Sequence, residues 1–357
     1  MRDVVAHPQS ALWDEFLAVS ARIGGDIGLI QGAGGNSSLK DGGVMWIKAS
    51  GCWLAEAARQ PIMVPLDLAA LRARVLAGNL AEAEIAAMAL PGGPGGLRAS
   101  VEAPFHALLP SRCVIHVHCV DTIATAILAD AGARLQQRLG GRNCHWQPYV
   151  KPGVPLTEAL RASGAQTAPV IVLGNHGLIV GADTPRAAEV LIDGIRRLLG
   201  GTGTPAMSVM AAPLAGLDGT GYAPASAPGA HDLALSPALR ALAGNCAIAP
   251  DFVVFFGPSI PILPAGPDLP ARLAALAAQP LPLNAVVLVE GYGALIRTDA
   301  MRGTQALLTG YAMVLKRYLM NGGGEIRYFT AAECAELLNW DAEKYRQAQN
   351  RAEATDG

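Results

Sequence analysis

Residues 114–118 read Val-Ile-His-Val-His (VIHVH). The β-branched residues suit a strand, and side chains alternate across one, so His116 and His118 face the same way with imidazoles near enough to share one metal ion. A single buried histidine is commonly a hydrogen-bonded core residue. Two on one face of an apolar strand are harder to account for, because each unpaired polar ring costs free energy to bury. A metal would account for both, and it asks for a third ligand. His176, in Gly174-Asn-His-Gly-Leu178, follows the strand-like run Val170 to Leu173 (VIVL), and its flanking glycines allow close approach of backbone and metal. His7, His106, His145 and His231 remain as competitors on sequence distance alone. Imidazole ligands suit Zn²⁺ or another divalent transition ion, and three protein ligands leave a position for substrate.

A carboxylate near such a centre is needed for proton transfer. Glu102 precedes Pro104 and an apolar stretch, which predicts a helix start with Glu102 in its first turn and His106 four residues on. A solvated first-turn Glu is the commoner outcome for such a residue. Upstream, Gly32-Ala-Gly-Gly-Asn-Ser-Ser38 and Lys48-Ala-Ser-Gly51 offer backbone N–H groups, hydroxyls and one ammonium that suit a phosphate. The first stretch has neither the Gly-Lys-[Ser/Thr] ending of a nucleotide P-loop nor the Gly-x-Gly-x-x-Gly dinucleotide pattern.

Further out, apolar periodicity predicts helices from Ala11 to Ile23 and from Thr184 to Leu199, the second with Pro185 at its start, and a strand at Val44 to Lys48. Between Ala212 and Ala230 the composition turns to Ala, Gly, Pro and Ser. This predicts a first domain over residues 1–212, a linker over 213–231 and a small α/β domain over 232–357. In that last region Phe252 to Phe256 (FVVFF), Ala285 to Glu290 and Glu325 to Phe329 read as strands, and about Asp299 to Leu319 and Ala331 to Asn339 as helices.

The 27 Lys and Arg against 29 Asp and Glu give a formal charge of -2, so no global basic field holds nucleic acid or an anionic membrane. Apolar runs are interrupted before the roughly 18 to 20 residues that span a bilayer. Met1-Arg2-Asp3 lacks a secretory signal pattern. The expectation is a cytoplasmic protein whose six scattered cysteines are reduced packing residues.

Taken in order, Gly35-Asn36-Ser-Ser38, Lys48-Ala-Ser-Gly51, Ser100-Val-Glu102, His116-Val-His118, Gln147-Pro-Tyr149 and Asn175-His-Gly-Leu-Ile179 resemble the class II aldolase/adducin family over roughly residues 10–205. The resemblance implies an α/β/α fold around a mostly antiparallel sheet, with zinc on His116, His118 and His176 and Glu102 as acid/base. It puts Asn36, Ser50, Gly51 and Ser100 on the substrate phosphate, with Lys48 the one lysine placed to meet it, and implies a homo-oligomer, commonly a tetramer. Adducin-like scaffolds of the family lack the three histidines, and its ribulose phosphate epimerases carry Asp where Glu102 stands.

The activity so implied is cleavage of a phosphorylated ketose to dihydroxyacetone phosphate and an aldehyde, with the metal stabilising an enediolate in place of a lysine Schiff base. An epimerase, dehydratase or decarboxylase on the same site, and a binding protein that keeps the fold, are the alternatives. Val101 replaces a phosphate-binding Ser of the fuculose-phosphate branch, whose catalytic Tyr has no counterpart between Cys119 and Tyr149. The Ser-Val-Glu form and the ending Leu337-Leu-Asn-Trp-Asp-Ala-Glu-Lys-Tyr345 look like the aldolase portion of larger aldolase/dehydrogenase fusions.

Overall fold

Seven short strands form the larger sheet of a computed structural model, which describes residues 10–200 and 214–341 together with 5, 7, 8, 344 and 345. Met1 to Asp3 and the expected boundary at residues 212 and 213 lie outside the described residues. The strands are β1 (Asn36–Asp41), β2 (Val44–Lys48), β3 (Met63–Asp67), β4 (Cys113–Val117), β5 (Cys144–Gln147), β6 (Val170–Leu173) and β7 (Gly177–Ala182). Their order is β3-β2-β1-β4-β7-β6-β5, and every pairing is antiparallel except β5 with β6. This is the mixed α/β architecture with a central, mostly antiparallel sheet that the motifs implied.

Strand alternation assigns the two faces. Asn36 pairs with His116 and Ser38 with Val114, so Asn36, Ser38 and His116 share one face. On that side the helices Leu68–Ala77, Ala103–Leu108 and Val154–Ala162 bury Leu71, Val75, Phe105, Leu156 and Leu160 against Met45, Ile47, Val114 and Ile179. Ser37 points the other way and meets Ser20 Oγ at 2.8 Å, which puts the helix Ala11–Gly25 on the opposite face. The sheet is therefore covered on both sides, as its strands require: β4 and β6 are buried along their whole length.

The chain divides into two compact units, residues 1–122 with 130–199, and residues 123–129 with 200–357. The second unit carries a four-stranded sheet in the order β8-β11-β10-β9, with β8 (Tyr222–Pro224), β9 (Ile262–Leu263), β10 (Val286–Val289) and β11 (Gly293–Arg297). Residues 214–231, read from composition as a linker, supply β8, and Tyr222 packs in the core with Leu263, Leu273, Val287 and Leu295. A single large residue among small ones suffices here because partner strands bring the rest of the apolar surface.

Phe252 to Phe256, expected as a strand, lies in the helix Pro250–Phe256. All seven residues of that helix are buried, and a run buried on all sides has no periodicity to tell helix from strand. The local signals that decide it are Pro250 at the helix start and Gly257 at its end, with φ 79°. Glu325 to Phe329 also forms no strand, only a single bridge from Ile326 to Leu128. The two expected helices appear as Thr304–Met320 and Ala331–Leu338, the second opened by a capping box between Thr330 and Glu333. Among the described residues no helix is long and apolar enough to cross a membrane.

Candidate functional site

His116 sits on β4 and His118 just beyond its end, and His176 sits in the turn that joins β6 to β7. The antiparallel register opposes His116 to Ile179 and Val117 to Leu178, so the β6–β7 turn lies beside the end of β4. The three rings converge, with centroids 4.8 to 5.1 Å apart and one nitrogen from each within 4.8 Å of the others. All three are buried. Of the competing histidines, His106 lies in the helix Ala103–Leu108 and His231 bonds Ala225 and Ala294 in the second unit.

Two backbone devices make the convergence possible. Asn175 takes φ 51°, a left-handed conformation that Asn tolerates better than most residues, and so turns the chain within two residues of Leu173. Gly177 then passes so close to β4 that a Cβ there would lie 2.3 Å from the Val117 carbonyl oxygen and 3.4 Å from His116 Cε1.

The donor set fits a divalent transition ion. His116 Nδ1 faces the Leu178 carbonyl at 3.1 Å and so donates its proton there, leaving Nε2 of the neutral ring as a lone-pair donor. That Nε2 lies 3.1 Å from His118 Nε2 and 3.6 Å from Glu102 Oε2. Lone pairs brought to this separation repel unless a proton or a cation lies between them. Glu102 stands at the N-cap position of the helix Ala103–Leu108, one residue before the first-turn position expected, and its side chain makes no capping bond to that helix. Its carboxylate is buried, and Oε1, 3.9 Å from His176 Nε2, has no hydrogen-bond partner among the described residues. An orphaned, buried carboxylate oxygen beside three converging imidazoles is a costly arrangement without a cation.

The expected phosphate-binding residues are placed less uniformly. Ser100 is buried, and its Oγ accepts from Asn36 Nδ2 at 3.2 Å and from the Glu102 amide at 3.2 Å, which leaves its hydroxyl proton to donate elsewhere. The Asn36 amide donates to Glu102 Oε2 at 2.8 Å as well, so it belongs to the carboxylate rather than to an open anion pocket. Lys48 is buried too, with its ammonium on the carbonyls of Ala33 (2.9 Å) and Cys52 (2.7 Å). It ties the glycine-rich turn to the segment after β2. Ser50 and Gly51 lie in the turn after β2, Gly51 with φ 83°. A cavity of about 790 Å³, lined by His7, Trp13, Trp46, Arg59 and Met63 among others, has none of these site residues in its wall.

The contact that sequence reading missed runs from His106 through Asn36 to Glu102. His106 Nε2 meets Asn36 Oδ1 at 2.5 Å. Its signals were present as the four-residue spacing of Glu102 and His106 and the same-face spacing of Asn36 and Ser38. Burial, which disfavours the charged form, lowers the His106 imidazolium pKa well below the usual range, and the nearby Lys40 and His116 act in the same direction, so the ring is neutral.

Comparison with known proteins bears on this site. The family described as Class II Aldolase and Adducin N-terminal domain matches residues 15–200. A curated relative, the Uncharacterized oxidoreductase YuxG of Bacillus subtilis (strain 168), is 28% identical over 187 residues. That match covers 48% of this chain and 26% of the relative, so the chain spans about a quarter of that protein's length. Among solved structures, the N-terminal class II aldolase domain of a conserved protein from Thermoplasma acidophilum is 24% identical, with 55% of this chain and 93% of that one covered and a TM-score of 0.44. The L-fuculose-1-phosphate aldolase from Thermus thermophilus is 18% identical, with 52% and 92% covered and a TM-score of 0.33.

Proposed function

The chain belongs to the class II aldolase and adducin family, and on that premise we propose that it is a zinc-dependent aldolase. Its substrate on this reading is a phosphorylated ketose, cleaved to dihydroxyacetone phosphate and an aldehyde. The observation that carries this is the convergence of His116, His118 and His176 on one buried point with the Glu102 carboxylate beside it. A scaffold has no use for three imidazoles held so, whereas a catalyst that stabilises developing negative charge does.

The three histidines would hold the ion, which when bound supplies Lewis acidity to substrate oxygens. Glu102 moves the proton. Its Oε2 is anchored by Asn36, which leaves Oε1 to take a proton from the substrate and return it. The backbone near Asn36 and Gly51 and the hydroxyls of Ser50 and Ser100 bind the phosphate, with Lys48 supporting the turn from beneath. Val101 supplies no hydroxyl, which makes that pocket looser by roughly 0.5 to 1.5 kcal/mol, the net worth of one neutral hydrogen bond. On the same reading the protein is a cytoplasmic homo-oligomer, a tetramer as is common in the family.

The test loads the full chain with Zn²⁺, offers a panel of phosphorylated ketoses and their unphosphorylated counterparts, and assays dihydroxyacetone phosphate and aldehyde. Cleavage of phosphorylated members only is the expected result. Epimer formation or loss of carbon dioxide or water without cleavage would replace the aldolase reading. Equal turnover of unphosphorylated sugars would remove the phosphate pocket.

A further inference from the structure

The Glu102 carboxylate is held by a hydrogen-bonded chain that starts behind the site. His106 is completely buried, its ring stacked on Phe105 with centroids 4.6 Å apart. Nδ1 lies 2.7 Å from Ser38 Oγ and Nε2 lies 2.5 Å from Asn36 Oδ1. From Asn36 the amide nitrogen reaches Ser100 Oγ at 3.2 Å and Glu102 Oε2 at 2.8 Å.

Valence fixes every direction along this chain. An amide oxygen only accepts, so His106 Nε2 carries the proton that faces Asn36. A neutral imidazole then accepts at Nδ1, and the Ser38 hydroxyl donates to it. With its oxygen committed to His106, Asn36 has both amide protons left, one for Ser100 and one for Glu102. The opposite orientation of the amide would set its oxygen against the Glu102 carboxylate and its NH₂ against the His106 N–H. Both contacts would be repulsive, so the Glu102 carboxylate and the His106 N–H favour the same orientation of Asn36.

We propose that His106 is a positioning residue for Glu102: through Asn36 it fixes one carboxylate oxygen and so keeps the other facing the three histidines. The inference rests on the reading of Glu102 as the proton carrier. It differs from simple core packing, in which a leucine of similar bulk would serve as well as histidine.

The experiment compares His106→Leu with His106→Gln in the full chain. Glutamine can still donate to Asn36 and accept from Ser38, and leucine can do neither. In zinc-loaded protein, His106→Leu is expected to lower kcat about 10- to 100-fold, the usual effect of losing a group that orients a catalytic one, with KM and zinc stoichiometry nearly unchanged. His106→Gln should recover most of kcat. A second readout needs neither metal nor substrate: in metal-free protein labelled with ¹⁵N-Asn, the Asn36 side-chain amide protons, assigned by their absence in Asn36→Ser, should exchange slowly in wild type and His106→Gln and fast in His106→Leu.

Wild-type kcat and slow exchange in His106→Leu would overturn the proposal. Loss of zinc from both variants would also overturn it, by making His106 a determinant of the fold. If wild type cleaves no sugar of the panel while the exchange contrast holds, the positioning role stands and the aldolase reading falls.

Discussion

At the residue scale, on the proposed reading, the site separates groups that bind from a group, Glu102, that moves a proton. Glu102→Gln keeps the shape of the side chain and removes its proton-transfer capacity. Turnover is expected to fall by about 10² to 10⁴ while metal content by atomic absorption stays near that of wild type. Loss of metal with activity would make Glu102 chiefly a ligand. Lys40 invites a different measurement. It is buried at 8% exposure, and desolvation together with the nearby charge of Arg72 lowers its pKa to about 7. Its amine bonds the carbonyls of Leu109 and Ser111, and a neutral amine keeps two protons for those two acceptors. In the unfolded chain the pKa is about 10.4, so between about pH 7 and 10 the unfolded state binds a proton that the folded state does not. Stability from this group therefore rises with pH across that window, with a limiting slope of about 1.4 kcal/mol per pH unit. Urea unfolding of wild type and Lys40→Met at several pH values checks it, since the variant lacks this component of the slope.

At the element scale, the β4–β7 pair is the frame on which all three converging histidines depend, and its close approach at Gly177 is its weak point. Gly177→Ala puts a methyl 2.3 Å from the Val117 oxygen, so one strand must move. The expected cost is about 1 to 3 kcal/mol of stability, typical of overpacking, with weaker metal binding because His116, His118 and His176 all flank the displaced contact. Calorimetry together with competition for a chelating dye measures both. Unchanged metal affinity would show that the ligands tolerate a shift of the strands. In the second unit, Thr330 accepts from the Glu333 amide and Glu333 reaches back to the Thr330 amide at 2.8 Å. Thr330→Ala should cost about 1 kcal/mol in chemical denaturation, the usual worth of an N-cap.

At the scale of the whole molecule the division of the chain does not follow its order. Residues 123–129 cluster with residues 200–357, and their contacts show why: Arg327 N bonds the Ile127 carbonyl at 2.8 Å and Ala129 N the Glu325 carbonyl at 2.9 Å. Ile127 and Leu128 are buried. Cutting the chain at the compositional boundary near residue 212 would expose them, so a 1–212 fragment is expected to be less soluble than the full chain, read by light scattering, even with the three histidines intact. On the proposed reading, metal binding also links to stability. Zinc at about 100 times its Kd should stabilise the unit that binds it by about 2.7 kcal/mol. Hydrogen exchange should accordingly slow in β4, β6 and β7 and not in β10 and β11. Slowing in both units alike would mean that they unfold as one.

What the sequence determined by itself was local and periodic. Alternation along VIHVH placed two histidines on one face, the glycines around His176 marked a tight turn, and the order of the motifs identified the sheet they belong to. The second unit was less legible, because Phe252 to Phe256 are buried on every side and carry no period, and because β8 holds its place through partner strands rather than its own composition. Spacing alone left His106 and His176 as competitors, the motif resemblance implied His176, and the tertiary structure brings His176 to His116 and His118. Ligand distances depend on strand register, and the two histidines sit in elements that sequence separation does not order in space. Tertiary structure alone assigned Asn36 to Glu102 and buried the Lys48 ammonium against two carbonyls. A polar side chain chooses its partner by what burial leaves within about 3 Å, and that is fixed only once strand, helix and turn have packed.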